Sequence, residues 1–398
     1  MLRKTLELLR CPVDRAPLAL ERELLAGDRG ETVDGVLRCP GCRRWFRIEQ
    51  GIPDLVADGL REWADERAFL SAHRAALGPA FFEGLAPDPF SGAEPARTPE
   101  ERRVVEEGRH WGRFMRHFHD VDDGSIFDMD VKGRHPRFYV AGLLERDDRD
   151  ARRRHSFFPT AAGNVLFGDA KRLRGRRALD VGTGGGQFAL KFAKLGLDVL
   201  GMDPSFEEVS IAREVARKAG VWNVDYVRAA PDLPPFAPAA FGVLLAKDAL
   251  HHVPELGRVL DEALMPLLEQ DAELVVQEHV GKSRAREWFG RRVAAPLIPK
   301  IRASYANVPI PQELLRDSAN EDVSMHAVVP ELEKRFRITR SHRAHWFYLS
   351  AEALVYFAHG KRRGLAWCAK AAAWTWERAV LLTEPGEFWC ARGVRRRP

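Results

Sequence analysis

The sequence predicts an α/β protein built around a doubly wound, mostly parallel sheet, with a small cysteine-bearing domain in front and helical additions around it. Three observations carry this. From Arg176 to about Val280 strand-like and helix-like segments alternate, the pattern of a parallel sheet with helices on both faces. Inside that stretch "ALDVGTGGGQFALKFAKLGLDVLGMDPS", residues 178–205, runs strand, glycine turn, helix and a second strand ending on an acid. The 398 residues, 45% hydrophobic and 30% charged, are enough for a large core and two or three domains.

The net charge of +5 and pI near 9.0 lean basic, but Arg and Lys are spread along the chain and matched almost one for one by acids. That argues against a strong nucleic-acid footprint, with "KRLRGRR" and "GVRRRP" as local basic clusters. No opening apolar stretch precedes a small-residue cleavage site, so a cytoplasmic protein is expected. Five cysteines, three of them within the first 42 residues, do not make a secreted disulfide framework.

The chain divides into four expected sections. Residues 1–57 pair two short turns across a strand-like segment: Cys39 and Cys42 form a C-x-x-C knuckle, and Cys11 with Asp14 repeats its spacing. This section resembles the zinc-ribbon-like domain that accompanies tRNA and protein methyltransferases, including "GIP" followed by an apolar pair. The family has a cysteine where this chain has Asp14. Zinc accepts carboxylate oxygen, though structural sites favour thiolate and imidazole. Two readings therefore stay open: a metal site on Cys11, Asp14, Cys39 and Cys42, or a ribbon without metal that persists through Trp45, Phe46 and Ile52. Either way its role is structural or partner-binding.

Residues 58–170 form a linker and helical preamble, amphipathic in "DGLREWADERAFLSAHRAAL" and broken by "GLAPDPFSGAEPARTP". Trp111, Phe114 and Phe118 stand near helical spacing, which reads as a core stripe or as a cover for a cofactor. Residues 171–350 hold the main domain. Residues 351–398 are expected to be a helical extension; in "GLAWCAKAAAWTWERAVLL" the charges Lys370, Glu377 and Arg378 argue for a packing helix over a membrane span.

A glycine turn before a helix offers free N–H groups and close backbone approach. "GGGQFA" even fits the dinucleotide spacing with Gly184, Gly186 and Ala189, and Asp203 suits a ribose in either reading. The wider frame separates them. "LDVGTGGG" resembles the D-x-G-x-G-x-G turn of class I S-adenosylmethionine-dependent methyltransferases, with Asp180 closing the strand. An acid there would repel a pyrophosphate and suits a cationic cofactor. "GMDPS" and "DLPPFAPAAFGVLLAKDALHHVPE" resemble later passages of the same family. The resemblance runs over about residues 110–350 and is strongest over 176–280.

It implies a Rossmann-like fold and a cofactor site on Asp180, Gly182, Thr183, Gly184, Gly186, Asp203, Pro204, Ala229, Ala230 and Lys247. Ala229 and Ala230 stand where many members carry an acid near the adenine, and Gly242 replaces the usual Asp, so backbone groups of 229–232 are expected to serve there. Methyl transfer from sulfonium needs alignment and exclusion of water, and a base only when the acceptor must lose a proton. Glu278 and His279, at the end of the fifth strand, are expected to face the pocket as catalytic candidates. His251 and His252 in "LHHV" read first as structural or cofactor-side, and Trp111 and Tyr305 are lid candidates. The expected activity is methylation of oxygen or nitrogen on a small molecule, a sugar or natural product. The alternatives are an RNA or translation-protein methyltransferase and a non-catalytic partner-binding scaffold.

Overall fold

A computed structural model of the chain describes residues 1–83, 87–91, 96–121, 165–281, 284–289, 323–344, 378–384 and 386–397, with Leu85, Arg292, Thr375 and Trp376. The first strands, β1 (Ala19–Ala26), β2 (Thr32–Arg38), β3 (Trp45–Glu49) and β4 (Ile52–Pro53), form an antiparallel sheet in sequence order. Gln50 and Gly51, both at positive φ (52° and 73°), make the tight turn between β3 and β4, the geometry a two-residue hairpin demands. Trp45, Phe46 and Ile52 are fully buried there.

The second sheet has seven strands: β5 (Arg177–Val181), β6 (Asp198–Asp203), β7 (Val224–Arg228), β8 (Phe241–Lys247), β9 (Leu268–His279), β10 (Phe336–Ala344) and β11 (Phe388–Arg395). Their order is β10-β11-β9-β8-β5-β6-β7. Strands β5 to β9 are mutually parallel, while β11 runs antiparallel to both β9 and β10. The five parallel strands are buried almost throughout, as expected of a sheet covered on both faces. The order reverses between β5 and β8, and in such sheets the crevice beyond that reversal is where ligands bind. Helices α1 (Trp63–Ala72), α2 (Pro99–Val121), α3 (Gln187–Lys194), α4 (Phe206–Lys218) and α5 (Val328–Arg335) complete the elements that matter here.

Residues 388–395 depart from the expected helical extension. "FWCARGVR" is buried on both faces over its first six residues, and β9 has backbone groups on its outer side that another strand satisfies. The pairing runs without a break from Phe388 opposite His279 to Val394 opposite Glu273. The Ala/Trp-rich stretch that suggested a packing helix lies mostly outside the described residues. Among the described residues no helix is long and apolar enough to cross a membrane.

The two sheets share one core. Leu9, Leu37 and Phe46 pack in the same cluster as Val227, Phe236 and Phe241. Asp54 bridges to Arg228 at the end of β7, where Leu55 N–H donates to the Arg228 carbonyl at 2.9 Å. The Asp54 carboxylate accepts from Arg228 at 3.0 Å and Arg47 at 3.2 Å, and all three residues are buried. The two guanidiniums hold this carboxyl below its ordinary range although burial pushes it up. Asp225 on β7 likewise accepts from Leu2 N–H, Thr5 Oγ1 and Arg213.

Candidate functional site

The turn after β5 is shaped by glycines with no alternative. Gly182, Gly184 and Gly186 sit at φ of +63°, +49° and +79°, where a side chain is strained. A Cβ on Gly182 would overlap the Ala249 methyl, and one on Gly186 would lie 2.7 Å from the Tyr226 hydroxyl and 2.8 Å from Ala212 Cβ. We expect Gly182→Ala to weaken binding of any ligand of the turn by at least about tenfold, since both φ and the Ala249 contact must yield. Calorimetric titration with S-adenosylmethionine measures it, and unchanged affinity would refute the role given to the turn.

Two buried acids tie the turn down. Asp180 Oδ2 accepts from Thr183 Oγ1 at 2.7 Å and from Ala189 N–H, in α3, at 3.1 Å. Asp203 Oδ2 accepts from Gly184 N–H at 3.1 Å, and its Oδ1 from Ser205 N–H at 2.9 Å. Burial pushes each carboxyl up to about 6, outweighing the hydrogen bonds that favour ionisation. Two carboxyls so placed favour a cation.

A cavity of about 960 Å³ opens beyond the carboxyl ends of β5, β6 and β8. Of the expected cofactor residues, Asp180, Gly182, Thr183, Gly184, Asp203, Pro204, Ala229, Ala230 and Lys247 line it, while Gly186 lies beneath the turn and only shapes it. Lys247 is paired with Asp248 at 2.7 Å. Helix α2 contributes Trp111 to the cavity and, with it, Val104 and Glu107, which sequence reasoning missed. Gly108 and Gly112 let this helix lie against Ser205 and Glu207, and Arg116 pairs with Glu207 at 2.5 Å. Thus Trp111 does stand over the cavity as expected; Tyr305, and the side chains of Phe114 and Phe118, lie outside the described residues.

Glu278 does not face the cavity, and this corrects its expected catalytic place. Its carboxylate is fully buried and accepts from Ala249 N–H at 3.0 Å and Leu250 N–H at 2.8 Å, with His251 Nδ1 at 2.7 Å. The loop after β8 presents orphan N–H groups that an apolar interior leaves unsatisfied, and Glu278 answers them. His279 lines the cavity, its ring between those of Phe388 and His251. His252 also lines it, its Nδ1 2.9 Å from Oε1 of Glu107.

In the small N-terminal sheet region the four expected metal ligands converge. Their donor atoms lie within 4.8 Å of one another; Cys11 Sγ and Cys42 Sγ are 3.6 Å apart, and Cys39 Sγ is 3.2 Å from each Asp14 oxygen. Tetrahedral zinc with bonds of about 2.3 Å has ligand–ligand edges of roughly 3.8 Å, so three thiols and a carboxylate fit it. The upper cavity passes a similar test for an adenosine-bearing cation: its volume suits a ligand of that size, its turn has no room for side chains, and two acids border it.

Comparison with known proteins agrees with this geometry. A family model described as a methyltransferase domain matches residues 179–269, and one described as a Trm112p-like protein matches residues 3–51. The ubiquinone biosynthesis O-methyltransferase of Xanthomonas euvesicatoria is 30% identical over 168 residues, which cover 42% of this chain and 70% of that protein. The chain belongs to the S-adenosylmethionine-dependent methyltransferases. A second relative of this methyltransferase, the ubiquinone biosynthesis O-methyltransferase of Paraburkholderia phymatum, is 34% identical over 146 residues. That match takes in 36% of the methyltransferase described here and 62% of the relative, so this chain spans about three fifths of the relative's length. Among solved structures, the [4+2]-cyclase SpnF is 20% identical, with 64% of this methyltransferase and 86% of that chain covered at a TM-score of 0.37, too low to carry an argument.

Proposed function

We propose that this methyltransferase moves a methyl group from S-adenosylmethionine to an oxygen or nitrogen of a small molecule. A hydroxyl oxygen is the reading that the two O-methyltransferase relatives favour. The observation that carries the proposal is one cavity bordered by the glycine turn, its acids and three histidines, of which His251 is held by Glu278 and His252 and His279 are left for the acceptor. Part of the basic cluster before β5, which would favour RNA, is paired with acids: Arg172 with Glu273, and Arg176 with Glu269 at 3.0 Å.

The bound cofactor supplies both the electrophile and its leaving group. Asp203 is placed to accept ribose hydroxyls, Asp180 and the turn to hold the cationic end, and the backbone of 229–232 to border the adenine. Helix α2, with Trp111, excludes water. His252 Nε2 takes the acceptor's proton, Glu107 beside Nδ1 stabilising the imidazolium; His279 is the second imidazole in reach. We expect His252→Ala to lower turnover about 100-fold with cofactor binding intact.

The test is transfer of label from methyl-labelled S-adenosylmethionine into a bacterial extract, fractionated by size. Label in the small-molecule fraction supports the proposal, and label confined to RNA or protein sinks it. The ribbon is assigned one structural zinc on Cys11, Asp14, Cys39 and Cys42, which elemental analysis would find at one equivalent; stripping it should lower the melting temperature. The divisions at residues 57, 170 and 350 belong to the same proposal, with β11 returned to the catalytic domain, as does a cytoplasmic location.

A further inference from the structure

Glu208 is a buried acid that the fold does not use. It is the third residue of α4, whose N-cap Ser205 accepts from Glu208 N–H at 3.4 Å. A capping box would send the Glu208 carboxyl back to the Ser205 N–H. Here that N–H already donates to Asp203 Oδ1 at 2.9 Å, so the Glu208 side chain turns into the cavity instead. It is 9% exposed, and among the described residues its carboxyl has no hydrogen-bond partner. Its Oε2 would be 3.3 Å from a Cβ on Gly184, the residue whose N–H Asp203 holds. Burial, and Asp203 beside it, push its carboxyl well above the usual range.

A buried carboxyl left without a partner costs free energy that a polar ligand group recovers. We propose that Glu208 and Asp203 together read the vicinal diol of the cofactor's ribose, Glu208 giving one hydroxyl a donor while Asp203 accepts. A diol presents two donors and spare lone pairs, which suits one protonated and one ionised carboxyl better than two carboxylates. This rests on the cofactor assigned under Proposed function and adds to it a residue that selects ribose over deoxyribose.

Calorimetry with S-adenosylhomocysteine and its 2′-deoxy and 3′-deoxy analogues tests it. Wild type should lose at least about tenfold in affinity for one deoxy analogue, roughly one hydrogen bond. Glu208→Leu should lose about tenfold for S-adenosylhomocysteine while its deoxy penalty shrinks to about twofold, and Glu208→Gln, which keeps a donor and an acceptor, should stay within about threefold of wild type. No deoxy penalty in wild type overturns the inference without any variant, so a variant that misfolds does not rescue it. The same holds if Glu208→Leu keeps the full penalty, or if its loss vanishes with 5′-methylthioadenosine, which has the diol and lacks the amino-acid end. Wild type that binds the deoxy analogues normally refutes Glu208 alone; wild type that binds no S-adenosylhomocysteine removes the methyltransferase reading, and this with it.

Discussion

Asp203→Asn is expected to lose S-adenosylmethionine by about 100-fold in affinity while the unliganded protein stays folded at pH 7. The carboxylate is the charged acceptor on the cofactor side, and hydrogen bonds to charged groups contribute about 1.5–3 kcal/mol. Its fold is not built on that charge. Burial raises the Asp203 carboxyl to about 6, so the folded state binds a proton more tightly than the unfolded chain, and ionisation above pH 6 opposes folding. Asn removes that opposition and gives back part of the gain, because its Nδ2 donor faces one of the two N–H groups, of Gly184 and Ser205, that the carboxylate accepts from. The same sign governs wild type: as pH falls through about 6, Asp180 and Asp203 take up protons, the attraction for the sulfonium declines, and affinity falls. Calorimetry at pH 5.5 and 7.5 with urea melts of the variant measures both; a variant that binds normally, or an affinity flat across that range, would refute the assignment.

The second large effect lies away from the cavity. Asp54→Ala leaves Arg47 and Arg228 buried without their shared carboxylate, and breaking a buried ion pair from one side costs about 3–5 kcal/mol. The urea midpoint should fall accordingly. Arg228 also donates to the carbonyls of Pro204, at 2.9 Å, and Leu60, at 3.2 Å. Pro204, Leu60, Ala229 and Ala230 all border the cavity, so cofactor affinity should fall with stability. An unchanged midpoint would show that the small sheet contributes little to the large one. Because the folded Asp54 carboxyl lies below its ordinary range, this contribution is present at neutral pH and lost in acid below about pH 4.

What could be read in advance was what depends on neighbours in sequence. The glycines of the turn, the acid ending β6 and the knuckle spacing each report a local backbone requirement: the glycines form the turn after β5, Asp203 ends β6, and the knuckle cysteines lie side by side. The misreadings involve partners far along the chain. Glu278 looks like a strand-end acid facing a ligand, and only the fold reveals that the N–H groups of Ala249 and Leu250 need it. Glu107 reaches His252 across 145 positions, and no periodicity in either segment announces it. At Ser205 the spacing to Glu208 suits a capping box, but Asp203, two residues earlier, takes the Ser205 N–H that Glu208 would accept. Strand β11 was not read because residues 351–398 were taken together as one helical extension, while its register is imposed by β9.

The position of β11 bears on how the molecule comes off the ribosome. Strands β5 to β9 and their helices emerge in order and can associate as they appear, yet the outer side of β9 waits for a strand made more than a hundred residues later, and β10 waits for the same strand on its own inner side. Until then the nascent chain carries a twelve-residue strand with an open edge, the kind of surface that pairs with whatever strand comes near. Translation speed and chaperone supply between β9 and β11 should therefore govern how much protein is recovered intact.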